Sequence, residues 1–215
     1  MPPVVSIVGR SKSGKTTLIE KLIVELKSRG YHVATAKHTH RDMTLAESDK
    51  DSDRHLKAGS EASLITDPHG LMMIKPLQKE LTLAQIAQII GEDYDLILTE
   101  GYKQDDAPKI EVHRKENAPP ILDLKKTFAV ATDEPLDTKI RQFALDDVKG
   151  IADLIETGFI KPHRERLTLL VNDVPIALNA FTKDFVENVT LAMANSLKGV
   201  GKIGTLQIFL KKEDK

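Results

Sequence analysis

The sequence predicts a mostly parallel α/β sheet flanked by helices, followed by a small α+β extension of ββαβ order. Three observations carry this expectation. Up to about residue 160, short β-branched runs alternate with helical patterns. The first such run leads through a glycine-bearing turn, Gly9 to Gly14, into an amphipathic stretch. After Lys161-Pro162-His163-Arg164-Glu165-Arg166 the texture changes, so the expected boundary separates residues 1–163 from residues 164–215.

Val4 to Val8 reads as a buried strand, and Lys15 to Arg29 as a helix with Leu18, Leu22 and Leu26 on one stripe and Gly30 as its stop. Val33–Ala36 is the next strand. Residues 38–53 are polar and rich in His and Asp, which predicts a long loop, and long loops in compact domains tend to be functional or disordered. Ala62–Thr66 and Leu71–Ile74, joined by Asp67-Pro68-His69-Gly70, read as a hairpin. Thr82 and Gln85 form a capping box for a helix that stops at Gly91. Strands are expected at Leu96–Thr99, Ile110–Val112 and Phe128–Ala131, then a helix over about Asp147–Glu156. In the extension, Leu167–Val171 and Val174–Leu178 read as a hairpin whose Pro175 marks an edge. Asn179 is placed to cap a helix through about Leu197, and Thr205–Leu210 reads as a last strand. Phe181, Phe185, Val189 and Ala192 fall at near-helical spacing, which predicts core or dimer packing.

Composition narrows the function classes without choosing one. The chain of 215 residues carries 31 Lys plus Arg against 32 Asp plus Glu, so it is not a general nucleic-acid coat. Its 4% aromatic content also leaves few stacking platforms for a DNA-dependent ATPase. The absence of cysteine removes disulfides, thiolate metal sites and a cysteine nucleophile together. There is no run of 18 apolar residues and no basic, apolar leader, so neither a membrane partner nor a signal peptide is expected, and the expected location is cytoplasmic.

The chemistry enters at Gly9-Arg10-Ser11-Lys12-Ser13-Gly14-Lys15-Thr16, which fits G-x4-G-K-[ST] at every defined position. The glycines let the loop curl until successive N–H groups point inward at phosphate oxygens. The start of a helix adds its partial positive charge. Lys15 supplies a point charge for the β- and γ-phosphates, Thr16 a hydroxyl for Mg²⁺, and Thr17 a contact for the α-phosphate. A chance glycine-rich turn would lack the strand before and the helix after. This is a nucleoside triphosphate site in the P-loop NTPase pattern, and the motif alone leaves kinases, GTPases, motors and metallochaperones open.

Mg²⁺ on a triphosphate takes a second, acidic partner at the end of a neighbouring strand. Leu96-Ile97-Leu98-Thr99-Glu100-Gly101 offers one in Glu100, although a surface Glu opening a turn has the same pattern. Asp49, Asp51 and Asp53 lie in the 38–53 loop, where a solvated acidic loop or a helix cap at Asp51 is the plainer alternative. His38 and His40 have a spacing open to a transition metal, but no Cys and no third clustered ligand accompany them, so a polar patch for substrate or partner is favoured.

A set of spaced motifs then resembles one family. It runs from Gly9–Thr17 through Lys37-His38-Thr39-His40 with Asp42, and Lys50-Asp51-Ser52 with Arg54-His55 and Ala58-Gly59. Thr99-Glu100-Gly101-Tyr102-Lys103, Pro108-Lys109-Ile110-Glu111-Val112, Ala129-Val130-Ala131-Thr132-Asp133 and Leu145-Asp146-Asp147-Val148 complete it. The sequence resembles the molybdopterin-guanine dinucleotide biosynthesis adaptor family, MobB, over about residues 3–160. The resemblance implies a fold of the class shared with signal-recognition and metallochaperone GTPases, GTP and Mg²⁺ binding, weak GTPase activity and a homodimer. It implies a nucleotidyltransferase partner of the MobA type, which joins GMP to molybdopterin, and so contact with a molybdopterin-type cofactor. By position it makes Lys15 and Thr16 phosphate and Mg²⁺ contacts, and Glu100 and Asp51 acids near the metal or the attacking water. Lys37, His38 and Lys103 would face the nucleotide or the cofactor precursor. Two positions depart from the family: Arg41 stands where many members carry His, and Tyr102 replaces Phe.

Asp133 follows a strand and would accept from guanine N1–H and N2–H₂, rejecting adenine, unless it only opens the turn at Glu134-Pro135. The leading expectation is a GTP-binding accessory protein. Two alternatives stand beside it: a small-molecule kinase using Asp51 as general base, and a GTP-dependent metallochaperone using His38 and His40. No arginine finger is assignable from sequence, Arg10 being the nearest candidate.

Overall fold

The computed structural model describes residues 1–39, 50–117, 119–121, 124–163, 167–172 and 174–211. The chain divides into two compact units, Met1–Arg164 and Glu165–Lys215. The first unit is built on a six-stranded sheet. Its strands are β1 (Val4–Gly9), β2 (Val33–Lys37), β5 (Leu96–Glu100), β6 (Lys109–Val112), β7 (Thr127–Thr132) and β8 (Arg141–Ala144), in the order β2-β5-β1-β6-β7-β8. Every pairing within it is parallel. A parallel sheet must be covered on both faces, and β1 is buried from Val5 to Val8 with Ser6 its one polar side chain. Helices α1 (Lys15–Ser28) and α4 (Val148–Ile155) flank the sheet, while α2 (Lys50–Lys57), the hairpin β3 (Ser63–Asp67) with β4 (Gly70–Ile74), and α3 (Leu83–Ile90) connect β2 to β5. No helix among the described residues is long and apolar enough to cross a membrane.

The two faces of the sheet differ in kind. Val5, Ile7, Leu96, Leu98, Ile110 and Val112 share one core with Leu18, Leu22 and Leu26 of α1 and Ile151 and Ile155 of α4. Burial of each such side chain contributes about 1.5–3 kcal/mol. Alternation along the strands sends Ser6, Thr99, Lys109, Glu111 and Thr132 to the other face, and all five are buried. Buried polar groups must find partners there. Ser6 and Thr99 share a hydroxyl–hydroxyl bond of 2.8 Å across β1 and β5. Lys109, wholly buried, spends its three ammonium hydrogens on backbone carbonyls: Asp105, Ala107 at 2.9 Å and Lys125 at 3.3 Å. Burial pushes the Lys109 ammonium below its usual range, against the raising effect of Asp105 and Asp106.

Away from the sheet, Arg29 at the end of α1 holds three carboxylates: Glu25 at 2.7 Å, Asp153 at 2.6 Å and Glu156 at 2.7 Å. Glu156 also meets Lys161 at 2.9 Å and the Tyr31 hydroxyl at 3.0 Å. The Lys161 and then the Arg29 contacts draw its carboxyl from an ordinary 4.5 down to about 2.

Several local expectations need correction. Lys50 to Asp53 belong to α2 rather than to a loop, because the turn from Asp51 to Lys57 is laced by Arg54–Asp51 and Lys57–Asp53 pairs. His40, Asp42 and Asp49 lie outside the described residues. β8 is a strand that the pattern does not announce: Arg141-Gln142-Phe143-Ala144 has one large apolar residue, Phe143, and that residue alone is buried. The capping box at Thr82 and Gln85 forms as expected.

In the second unit, Leu170–Val171 (β9) and Val174–Pro175 (β10) pair over only two residues each, and α5 (Ala180–Asn195) starts from Asn179, whose Oδ1 accepts from Thr182 N at 2.9 Å. Thr205–Leu210 forms no strand; its apolar residues have no neighbouring strand to pair with among the described residues. The α5 stripe is not core within this chain either, since Phe181, Phe185 and Val189 are 79%, 58% and 52% exposed.

Replacing Lys109 by Met would leave the carbonyls of Asp105, Ala107 and Lys125 without this donor. We expect a loss of about 2 kcal/mol or more in urea-unfolding free energy, with the apolar face unaffected. The Glu156 carboxylate is favoured in the folded chain, so its stabilising effect is complete above about pH 4.5 and disappears as pH falls through about 2. Urea midpoints measured between pH 6 and pH 2 should therefore fall more steeply for the wild type than for Glu156→Gln.

Candidate functional site

The loop after β1 is shaped by backbone sterics. Gly9 has φ +142°, and a Cβ there would run into the Val112 carbonyl oxygen of β6. Lys12 and Gly14 are also left-handed, at φ 63° and 98°, which turns the chain back toward α1. Gly14 is the N-cap of α1 and offers no capping side chain, so the first N–H groups of the helix are left for a ligand. Arg10, Ser11, Lys12 and Ser13 form the arch between the two glycines. Ser13 is buried, and its Oγ has no hydrogen-bond partner among the described residues.

Lys15 Nζ donates to Arg10 O at 2.7 Å, which lays the ammonium over the loop's own backbone. Burial lowers its pKa; Glu100 opposes that shift, while Lys103 and Lys37 reinforce it. Glu100 ends β5, next to β1, and is brought forward because Gly101 N bonds Ile7 O and His38 N bonds Glu100 O. Its Oε2 accepts from Thr16 Oγ1 at 3.0 Å and lies 3.2 Å from Lys37 Nζ. Lys15, Thr16, Lys37 and Glu100 thus gather at one end of the sheet, with Lys103 close enough to act on Lys15 through its charge. A hydroxyl and a carboxylate converging beside a lysine are hard oxygen donors, the set that suits Mg²⁺.

Other expected residues stand apart. Asp51 accepts from Arg54 Nη1 at 3.2 Å on α2, and none of its described contacts is with Thr16 or Glu100. His38 pairs with Glu80 and lies 5.3 Å, ring to ring, from Tyr102, which is itself left-handed at φ 54°. No three His, Asp or Glu side chains group as a metal centre among the described residues. Arg10 Nε donates to Pro119 O at 2.8 Å, so its guanidinium is tied to the 119 segment. Thr17 is exposed on the first turn of α1.

Asp133 Oδ1 accepts from Lys115 N at 2.7 Å, and its Oδ2 lies 4.0 Å from Arg114 Nη1. Arg114 also donates from Nε to Ser13 O at 3.2 Å, joining the β6–β7 connection to the phosphate loop. Arg114 has no signal in the sequence, because a lone arginine after a strand belongs to no motif. Nothing in the sequence gives a role to buried Glu111 either, whose Oε1 accepts from Ile121 N at 2.6 Å and whose carboxyl burial pushes up.

The family model for molybdopterin guanine dinucleotide synthesis protein B matches residues 4–133. A molybdopterin-guanine dinucleotide biosynthesis adapter protein from Haemophilus influenzae is 37% identical over 166 residues, spanning 76% of this chain and 93% of that one. Its Escherichia coli counterpart is 35% identical, over 72% of this chain and 92% of that one. Among solved structures, the crystal structure of a molybdopterin-guanine biosynthesis protein B (mobB) superposes with a TM-score of 0.58 at 30% identity, covering 72% of this chain and 97% of that one. A MobB homolog from Bacillus stearothermophilus gives 0.55 at 25% identity, covering 72% and 96%. The parallel sheet, the loop after its first strand and the match over residues 4–133 place this chain in the molybdopterin guanine dinucleotide synthesis protein B family.

Proposed function

We propose that this chain serves molybdopterin guanine dinucleotide biosynthesis as an adapter that holds GTP and Mg²⁺ and works through a MobA-like nucleotidyltransferase. The observation that carries the nucleotide part is the convergence of Thr16, Glu100, Lys37 and Lys15 behind a left-handed glycine loop. The role in the pathway is supported by two relatives named as adapters at 35% and 37% identity.

In this reading the N–H groups of the loop and of the first turn of α1 receive the phosphate oxygens. Lys15 leaves the Arg10 carbonyl for the β- and γ-phosphates, a strong exchange because its charge is poorly solvated and faces a polyanion. Thr16 would hold Mg²⁺ directly, and Glu100 directly or through water. The ion would neutralise charge between the two terminal phosphates. Lys37, His38 and Lys103 line the same end, where they would meet the rest of the nucleotide or the molybdopterin precursor. The protein needs a firm grip and little catalytic power: Arg10 is committed to Pro119, and Asp51 to Arg54. Slow hydrolysis follows. A homodimer completes the proposal and rests on the family resemblance alone.

Binding of a fluorescent GTP analogue to wild type and Lys15→Ala tests the grip. Removing one charge-assisted hydrogen bond predicts a weakening of about 10- to 150-fold. In Thr16→Val and Glu100→Gln, the dependence of binding on added Mg²⁺ should flatten. GTP turnover by the protein alone should stay below about 1 s⁻¹, and a faster rate would mark it as an enzyme in its own right. Capture of the nucleotidyltransferase should differ between GTP-loaded and nucleotide-free protein; equal capture would remove the nucleotide from the adapter role.

A further inference from the structure

Beside the phosphate loop lies a cavity of about 210 Å³, lined by Ser13, Gly14, Thr17, Leu18, Lys21, Val112, Arg114, Leu145 and Asp146. Small-molecule sites that enclose a whole ligand usually exceed about 300 Å³, so this one takes a fragment such as one flat bicyclic ring. Its position suits that fragment. Ser13, Gly14 and Thr17 belong to the loop and first helical turn already assigned to phosphates, so a ring held here stays within one nucleoside of them.

The walls have the chemistry of a base site. Leu18 and Val112, 3% and 1% exposed, make an apolar floor on which a ring buries one side. Arg114 is held in place from two directions, by Ser13 O at 3.2 Å and by the Asp133 carboxylate at 4.0 Å. A guanidinium plane fixed in this way offers a stacking surface to an aromatic ring. Asp146 stands at the start of the β8–α4 turn, exposed, and its carboxylate makes no hydrogen bond or ion pair among the described residues. Its neighbour Asp147 is different, because Asp147 Oδ1 caps α4 through Gly150 N at 3.0 Å. Of the two adjacent acids, one closes the helix and the other is left for a ligand.

We propose that this cavity seats the nucleotide base and that Asp146, not Asp133, reads it as guanine. The proposal rests on the triphosphate reading above. A carboxylate accepts two hydrogen bonds from the N1–H and N2–H₂ of guanine, whereas adenine presents an acceptor at N1 and meets it with repulsion. Asp133 has a different task. Its Oδ1 is spent on Lys115 N and its Oδ2 faces Arg114, so it positions the stacking wall.

Xanthine gives the discriminating test, since it keeps N1–H but carries a carbonyl oxygen where guanine has the N2 amine. An Asn in place of Asp146 would donate to that oxygen. Calorimetric titrations of GTP, ATP and XTP into the full chain should show wild type preferring GTP over ATP by about 10- to 100-fold, the worth of one bidentate pair. Asp146→Asn should bind GTP more weakly by a similar factor and XTP more tightly, and the tighter XTP binding itself reports a folded protein. Asp133→Asn should weaken all three nucleotides together without changing their order. An unchanged GTP preference in Asp146→Asn, or a switch to XTP in Asp133→Asn, would overturn the assignment. Equal wild-type affinity for GTP and ATP, with Lys15→Ala still weakening both, would reject the base reading and leave the triphosphate site standing. Failure of wild type to bind any of the three would reject both.

Discussion

The narrow passage between β1 and β6 is the constraint on which the rest of this structure depends. The chain leaves β1 at Gly9 within reach of the Val112 carbonyl, at a backbone angle that L side chains rarely adopt. A side chain there would force β6 outward or push the loop off the end of the sheet. Because neither happens, the loop stays over the strand ends, α1 begins beneath it, and the N–H groups at the helix start keep their aim. β5 lies on the other side of β1 with its register fixed by Val4–Ile97 through Ile7–Glu100, which delivers Glu100 to Thr16.

Charge at the site is arranged by the same sheet. Lys37 ends β2 and Glu100 ends β5, paired in register, so a cation and an anion arrive together from adjacent strands. Lys15 comes from the helix and Lys103 from the turn after β5. Three lysines around one carboxylate leave a local excess of positive charge in a chain whose formal net charge is −1. Such a local field favours a small polyanion and is largely screened beyond about 8 Å at physiological salt. The charge that matters at this end of the sheet is therefore expressed in a few residues and not in the bulk composition.

How much of this the sequence shows depends on whether the signal is local. The glycine loop after β1 is legible because its glycines, lysine and threonine lie within eight consecutive positions, and the left-handed backbone at Gly9 and Gly14 meets the steric demand they signal. The inner strands are legible because each carries a short β-branched or leucine-rich run, although β1, β5 and β6 also bury Ser6, Thr99, Lys109 and Glu111. β8 escaped because an edge strand needs only one buried side chain, here Phe143. Thr205–Leu210 misleads because an apolar run gives only strand propensity, and pairing requires a partner. In the site, Thr16 and Glu100 are 84 residues apart, and only the acid's position at a strand end hinted at their meeting. Arg114 belongs to no motif, and the motif that holds Asp146 does not tell it from Asp147; only the folded chain brings Arg114 and Asp146 to one cavity.

Lys109 has a consequence for a chain that holds no cysteine. Its ammonium ties the start of β6 to carbonyls on both sides, including Lys125, 16 residues away. Topologically this is a cross-link, closing the segment that leads from β6 into β7. Sulfur chemistry would close the same segment with a bond that a reductant could open or an oxidant could scramble. An amine bound to three carbonyls has no redox state. The tie between the start of β6 and the segment leading into β7 therefore holds alike in reducing and oxidising surroundings.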